Sequence, residues 1–135
     1  MVESTNVIGY ITNFLGDITN TIGRSGMLQA LLGSRNSERV LIFLFAREEG
    51  YATEIARFFQ TDLYGVQRKL DGLEAGGVVV SKRIGRTRLY TFNPRYALLT
   101  QLKELLQRAI AFYPETEREA LLLNRRRPRR RGKPQ

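Results

Sequence analysis

Two short stretches of this sequence carry the side chains best suited to act on another molecule. Tyr64, Gln67, Arg68 and Lys69 form one group, and Lys82, Arg83, Arg86, Thr87 and Arg88 form the other. Their chemistry is recognition rather than bond making. An arginine fork donates to two acceptors at once, a glutamine offers a donor beside an acceptor, and both basic residue types pair with phosphate. The residue types that would carry covalent or metal chemistry are missing. There is no Cys and no His, which removes thiol redox chemistry, disulfides, the commonest general base and the commonest transition-metal ligand. No Ser/His/Asp or Cys/His arrangement and no phosphate-cradling glycine loop is present. The carboxylates are scattered or sit in exposed-looking helical positions. The expectation is a binding protein and not an enzyme, with no cofactor and no metal.

Charge sharpens that expectation. The net charge is +9 over 135 residues, but it is unevenly spread. Residues 125–135 hold seven Lys or Arg and no acid, whereas residues 1–33 and 97–124 each come to −1. Residues 34–96 hold eleven basic and seven acidic residues, and within residues 63–95 the balance is seven against two. The two recognition groups therefore lie in the basic part of the middle of the chain. No stretch reads as a signal peptide, and no apolar run reaches the roughly 18–20 residues that span a bilayer. The expectation is a cytoplasmic protein without membrane contact.

The elements that must hold these side chains can be read from period and caps. Residues 6–26 repeat every seven residues as NVIGYIT, NFLGDIT and NTIGRSG, with Ile8, Ile11, Leu15, Ile18 and Ile22 alternating three and four apart. That spacing is a coiled-coil-like seam, so residues 1–30 are expected to be a helical segment that packs against a partner. A short apolar helical piece over residues 27–33 ends near Gly33. Ser34 or Ser37 caps the next helix, whose Val40, Leu41, Phe43, Leu44 and Phe45 make it apolar nearly all round, a buried spine that stops near Gly50.

A second helix over 52–59 turns Ile55, Ala56 and Phe59 inward. After a turn at Gln60, Thr61 and Asp62, Asp62 caps a third helix over 63–75 with Val66, Leu70 and Leu73 inward, and Gly76-Gly77 ends it. Val78, Val79 and Val80 begin a strand. A loop over Ile84, Gly85, Arg86 and Thr87 leads to a second strand from Arg88 to Phe92, and Asn93-Pro94 breaks it. A long helix over about 97–112 carries one stripe of Leu98, Leu102, Leu105, Ala109 and Phe112 and another of Leu99, Leu106 and Ile110. Two stripes imply two contacts, one to the domain and one elsewhere. Pro114 ends that helix, and residues 115–123 add a short one with early glutamates.

Two short helices, a tight turn and a hairpin with a basic tip make the pattern of a winged helix-turn-helix. The fold class expected is mainly α with a small β-hairpin, divided into an N-terminal segment (1–30), the winged domain (31–96), C-terminal helices (97–124) and a basic tail (125–135). The apolar face of the third helix anchors it, leaving Tyr64, Gln67, Arg68 and Lys69 free to lie in a major groove. Lys82, Arg83, Arg86, Thr87 and Arg88 would meet the backbone or a minor groove.

Residues 31–96 resemble the ArsR/MarR-like winged-helix transcriptional regulators of bacteria and archaea. The likeness is carried by LLGSRNSERVLIFL, YATEIARFF and VQRKLDGLEAGGVVVSKRIGRTRLYTFNPRY. It implies a dimeric, sequence-specific binder of double-stranded DNA in a prokaryotic, nucleoid-associated setting, with Gln67 and Arg68 at base-reading positions and Arg86 and Arg88 at the wing tip. It also implies that the long C-terminal helix helps pair two subunits, which its second stripe fits. The sequence departs from the metal-sensing members, which use Cys and His. It departs again at Leu63 and Tyr64, where small polar residues are usual.

The leading expectation is thus a transcriptional repressor. An architectural DNA-coating protein would also suit the repeat and the tail, and a protein-docking module is disfavoured by the outward Arg68, Lys69, Arg86 and Arg88. In the tail, Arg125, Arg126, Arg127, Arg129, Arg130 and Arg131 cannot bury anything and can add sequence-independent affinity through counterion release. Deleting residues 125–135 should lower affinity for duplex DNA of any sequence. It should also flatten the log–log salt dependence by about 0.9 for each phosphate the tail neutralises. An unchanged salt slope would remove the tail from the interaction.

Overall fold

The computed structural model describes residues 27–123. The seven-residue repeat over 6–26 and the arginines of 125–131 lie outside the described residues. Among the described residues the order is α1 (Gln29–Leu32), α2 (Arg35–Arg47), β1 (Glu49–Tyr51), α3 (Ala52–Phe59), α4 (Leu63–Ala75), β2 (Val79–Ile84), β3 (Thr87–Phe92), α5 (Leu99–Ile110) and α6 (Glu115–Leu123). The fold is mixed, with helices around a small three-stranded antiparallel sheet in the order β1-β3-β2. No helix among these residues is long and apolar enough to cross a membrane.

α2 forms the centre because its sequence leaves it no face for water. Val40, Ile42, Phe43 and Leu44 are all fully buried. Ser34 caps it, its hydroxyl oxygen accepting from Ser37 N–H at 3.0 Å. The helix stops at Arg47 rather than near Gly50. Glu48 turns left-handed at φ 74°, and Glu49–Tyr51 leave as a strand that pairs with β3. The sequence reading missed this strand. Gly50 is required there, because a Cβ would come within 2.8 Å of the Phe43 ring.

α3 and α4 span the expected residues, joined by Gln60, Thr61 and Asp62. Gln60 caps α3 at φ 53°. Asp62 caps α4 by accepting from Gly65 N–H at 2.8 Å. Val66 and Leu70 are fully buried, and Leu73 is half-buried. Phe59 is also only half-buried, with its ring edge-on to Phe58 at 4.8 Å. β2 and β3 run longer than expected, so the loop shrinks to Gly85 and Arg86, with Gly85 at φ 63°. A positive φ at only the first of two loop residues is the pattern of a II′ hairpin.

At the C-terminal side the two apolar stripes of α5 are not separate. The second stripe, expected to help pair subunits, lies against the domain itself: Leu106 and Ile110 are buried and Leu99 is half-buried. Ala109 of the first stripe is buried with them, while Leu98 and Phe112 stay 57% and 55% exposed. Pro114 marks the start of α6, its carbonyl accepting from Arg118 N–H at 2.9 Å.

Glu38, whose helical position looked exposed in the sequence, is 1% exposed. Its carboxylate takes Leu28 N–H at 2.9 Å and Tyr113 O–H at 2.6 Å. One side chain on α2 thereby fastens the segment before α1 and the segment after α5. Burial pushes the Glu38 carboxyl above its ordinary value of 4.5, against the opposing pull of the Tyr113 and Leu28 hydrogen bonds and the Arg39 charge.

The native state therefore holds this proton more tightly than the unfolded chain does. Stability should fall as pH rises from about 4.5 through the raised value, then level off. Glu38→Gln can accept from Leu28 N–H at its amide oxygen and donate from its amide nitrogen to the Tyr113 hydroxyl oxygen, and it should remove that part of the slope. Glu38→Ala leaves a buried N–H and O–H unpaired and should cost about 2–4 kcal/mol. Chemical denaturation across pH checks both. Equal stability of the Ala and Gln variants would contradict the role given to the carboxylate.

Candidate nucleic-acid interface

The buried face of α4 fixes which side chains it offers outward. With Val66 and Leu70 anchored inward, helical spacing turns Tyr64, Gln67 and Arg68 away from the domain, and all three are exposed. Tyr64 is 65% exposed, and the Arg68 guanidinium lies 5.8 Å from its ring centroid. Lys69 is half-buried on the flank rather than on the outward face. Gly65 packs close to the tip of the Asn36 side chain on α2. A Cβ there would meet Asn36 Nδ2 at 2.7 Å.

The hairpin sorts its basic residues by strand alternation. Arg83 and Arg88 are direct cross-strand partners and share the face that turns toward α4. Lys82 is on the opposite face with Val80 and Ile84. That face carries exposed apolar surface, Val80 at 40% and Ile84 at 41%. The expected group of Lys82, Arg83, Arg86, Thr87 and Arg88 is therefore split: Thr87, opposite Ile84, falls by alternation with Lys82 and not with Arg88, but of the five only Lys82 lies away from the cleft.

The others converge. A cleft of about 250 Å³ lies between the hairpin, α4 and the start of α3; Gln67, Arg83, Arg86, Thr87 and Arg88 line it together with Thr53. Among the described residues no carboxylate lines this cleft. Two arginines directly opposite on a sheet repel and destabilise the pair. An anion between them would turn that cost into attraction.

The hairpin is tied to α4 by a chain that sequence reasoning did not find. Arg88 Nη1 donates to Ser81 Oγ at 2.9 Å, and Ser81 Oγ donates to Glu74 Oε2 at 2.8 Å. Three elements, β3, β2 and α4, are linked through one hydroxyl. Arg88 is consequently a positioning residue as well as a cationic one. Burial, with Asp71 and Glu74 nearby, holds the Tyr90 hydroxyl above its ordinary range, while Arg88 pulls the other way. At the tip, Thr87 Oγ1 donates to the Ile84 carbonyl at 3.0 Å and closes the turn. Only the short spacing from Ser81 to Arg88 hinted at the tether, since the position of Glu74 depends on how α4 meets the sheet.

Among the described residues no group of three or more His, Cys, Asp or Glu is placed to hold a metal ion. The arrangement presents a projecting helix, a cationic hairpin and a cleft between them, and its charge complements an anionic surface. No family model, no curated protein and no solved structure matches this chain.

Ser81→Ala should cut the tether without touching the core. The expected loss is about 1 kcal/mol of stability, with faster amide hydrogen exchange across residues 82–88. Unchanged protection of the hairpin would show that the chain of hydrogen bonds does not hold it.

Proposed function

We propose that α3, α4 and the β2–β3 hairpin form a winged helix-turn-helix and that the protein is a sequence-specific, double-stranded DNA-binding transcriptional regulator, a repressor acting as a dimer in a prokaryotic cytoplasm. The observation that carries this reading is the cleft in which Gln67 of α4 meets Arg83, Arg86 and Arg88 of the hairpin with no carboxylate lining it. A major groove accepts one α-helix and displays distinguishable base edges. With α4 in the groove, the hairpin would lie over the flanking phosphates. Arg68 would pair with guanine O6 and N7, and Gln67 would reach an adenine edge or a phosphate. Repression then needs only occupancy.

Dimerisation is part of the proposal. Leu98 and Phe112 leave apolar surface at both ends of α5, and a twofold pair would set two recognition helices about 34 Å apart, one turn of DNA. The seven basic residues of 125–135 favour a second reading, an architectural coating protein with little sequence preference. The two readings part on whether α4 reads bases.

Arg68→Ala should weaken binding to a preferred site by about 1–3 kcal/mol and relax one base position, with little effect on random duplex. Arg83→Ala should weaken all duplexes alike and reduce the salt slope by about 1. Equal losses on preferred and random DNA for Arg68→Ala would contradict base reading and leave the coating protein.

A further inference from the structure

The first turn of α4 exposes apolar surface where an ordinary solvated helix would place polar groups. Leu63 is 37% exposed and Tyr64 65% exposed. Neither is needed by the core, which Val66 and Leu70 close. Asp62 already caps the helix, so the pair does not serve to start it. The Arg68 guanidinium lies 5.8 Å from the Tyr64 ring centroid, one turn along the same face. This contact holds ring and guanidinium side by side, so whatever one meets lies next to what the other meets.

We propose that Tyr64, with Leu63 beside it, reads the 5-methyl group of a thymine neighbouring the guanine that Arg68 pairs with. The inference rests on the DNA-binding reading above and narrows the site it binds. In a major groove the thymine methyl is the apolar feature that a base edge displays. An exposed aromatic ring at the leading end of a recognition helix, where side chains reach base edges, gains by covering it. Arginine alone specifies the guanine. The adjoining ring adds the neighbour, so the pair reads a two-base step rather than one base.

The test begins with selection of preferred sites from random duplexes by the full chain. Each thymine of the selected site is then replaced singly by uracil, which removes the methyl and keeps every hydrogen-bonding group. Affinities are measured for the natural chain and for Tyr64→Ala, whose substitution lies on the surface and leaves the core intact. The natural chain should lose about fourfold in affinity at one thymine, from about 0.8 kcal/mol per buried methyl carbon at tenfold per 1.4 kcal/mol. That thymine should adjoin the guanine whose recognition Arg68→Ala abolishes. Tyr64→Ala should bind the site more weakly and be indifferent to the same replacement. A selected site that tolerates uracil at every position overturns the proposal while leaving DNA reading in place, and so does a uracil effect that persists in Tyr64→Ala. Recovery of no preferred duplex overturns both, and is distinguishable for that reason.

Discussion

A helix that is apolar on every side must be surrounded, and the rest of this fold is the means of surrounding α2. Val40, Ile42, Phe43 and Leu44 face in different directions and are all fully buried. Burying a side chain of this kind is worth about 1.5–3 kcal/mol, so each face of α2 recruits a neighbour. α3 and α4 cover one side, α5 and α6 another, and the sheet closes over Phe43 through Gly50. The proposed recognition surface follows from this. α4 can project Tyr64, Gln67 and Arg68 because Val66 and Leu70 are held by the same core that α2 organises.

Polar groups complete the enclosure. Arg47 stacks on Phe43 and Phe58 at 4.7 and 5.1 Å and donates to the carbonyls of Ala120 and Leu121. Its charge caps the C-terminal part of α6, where cations suit a helix dipole. Glu38 does the corresponding work for the segments before α1 and after α5. Both residues lie on α2, so among the described residues the first and last elements are fastened to the spine by these bonds and not to α4. α4 and the hairpin are fastened to each other instead, through Glu74, Ser81 and Arg88. The molecule thus separates the parts that would pair subunits from the parts that would read a partner.

Much of this was legible in the sequence where the signals are local. Asp62 as a cap, Gly76-Gly77 as a stop and the spacing of Val66 and Leu70 placed α4, and the switch to Val78–Val80 placed the hairpin. What escaped depends on distant partners. β1 is three residues long, too short to show a period, and exists because β3 offers it an edge. Glu38 looked like any helical glutamate because Leu28 and Tyr113 lie ten and seventy-five residues away from it. Lys82 and Arg83 part by alternation once β2 is known to reach Ile84, but the pairing of Arg83 with Arg88 required the register of the strands, and the close packing at Gly65 required knowing that Asn36 lies there. The stripes of α5 were visible, but only the fold decides which of them the domain keeps.

We propose that the convergence of α4 and the hairpin reads DNA sequence. It is tested most directly by equilibrium binding of the full chain, across a range of salt concentrations, to duplex from just upstream of its own gene and to random duplex. Binding to both is expected, with a preference on the order of a thousandfold for the site-bearing duplex that persists as salt weakens both curves. Indistinguishable curves falling steeply with salt, for this duplex and for every site selected from random sequence, would contradict it.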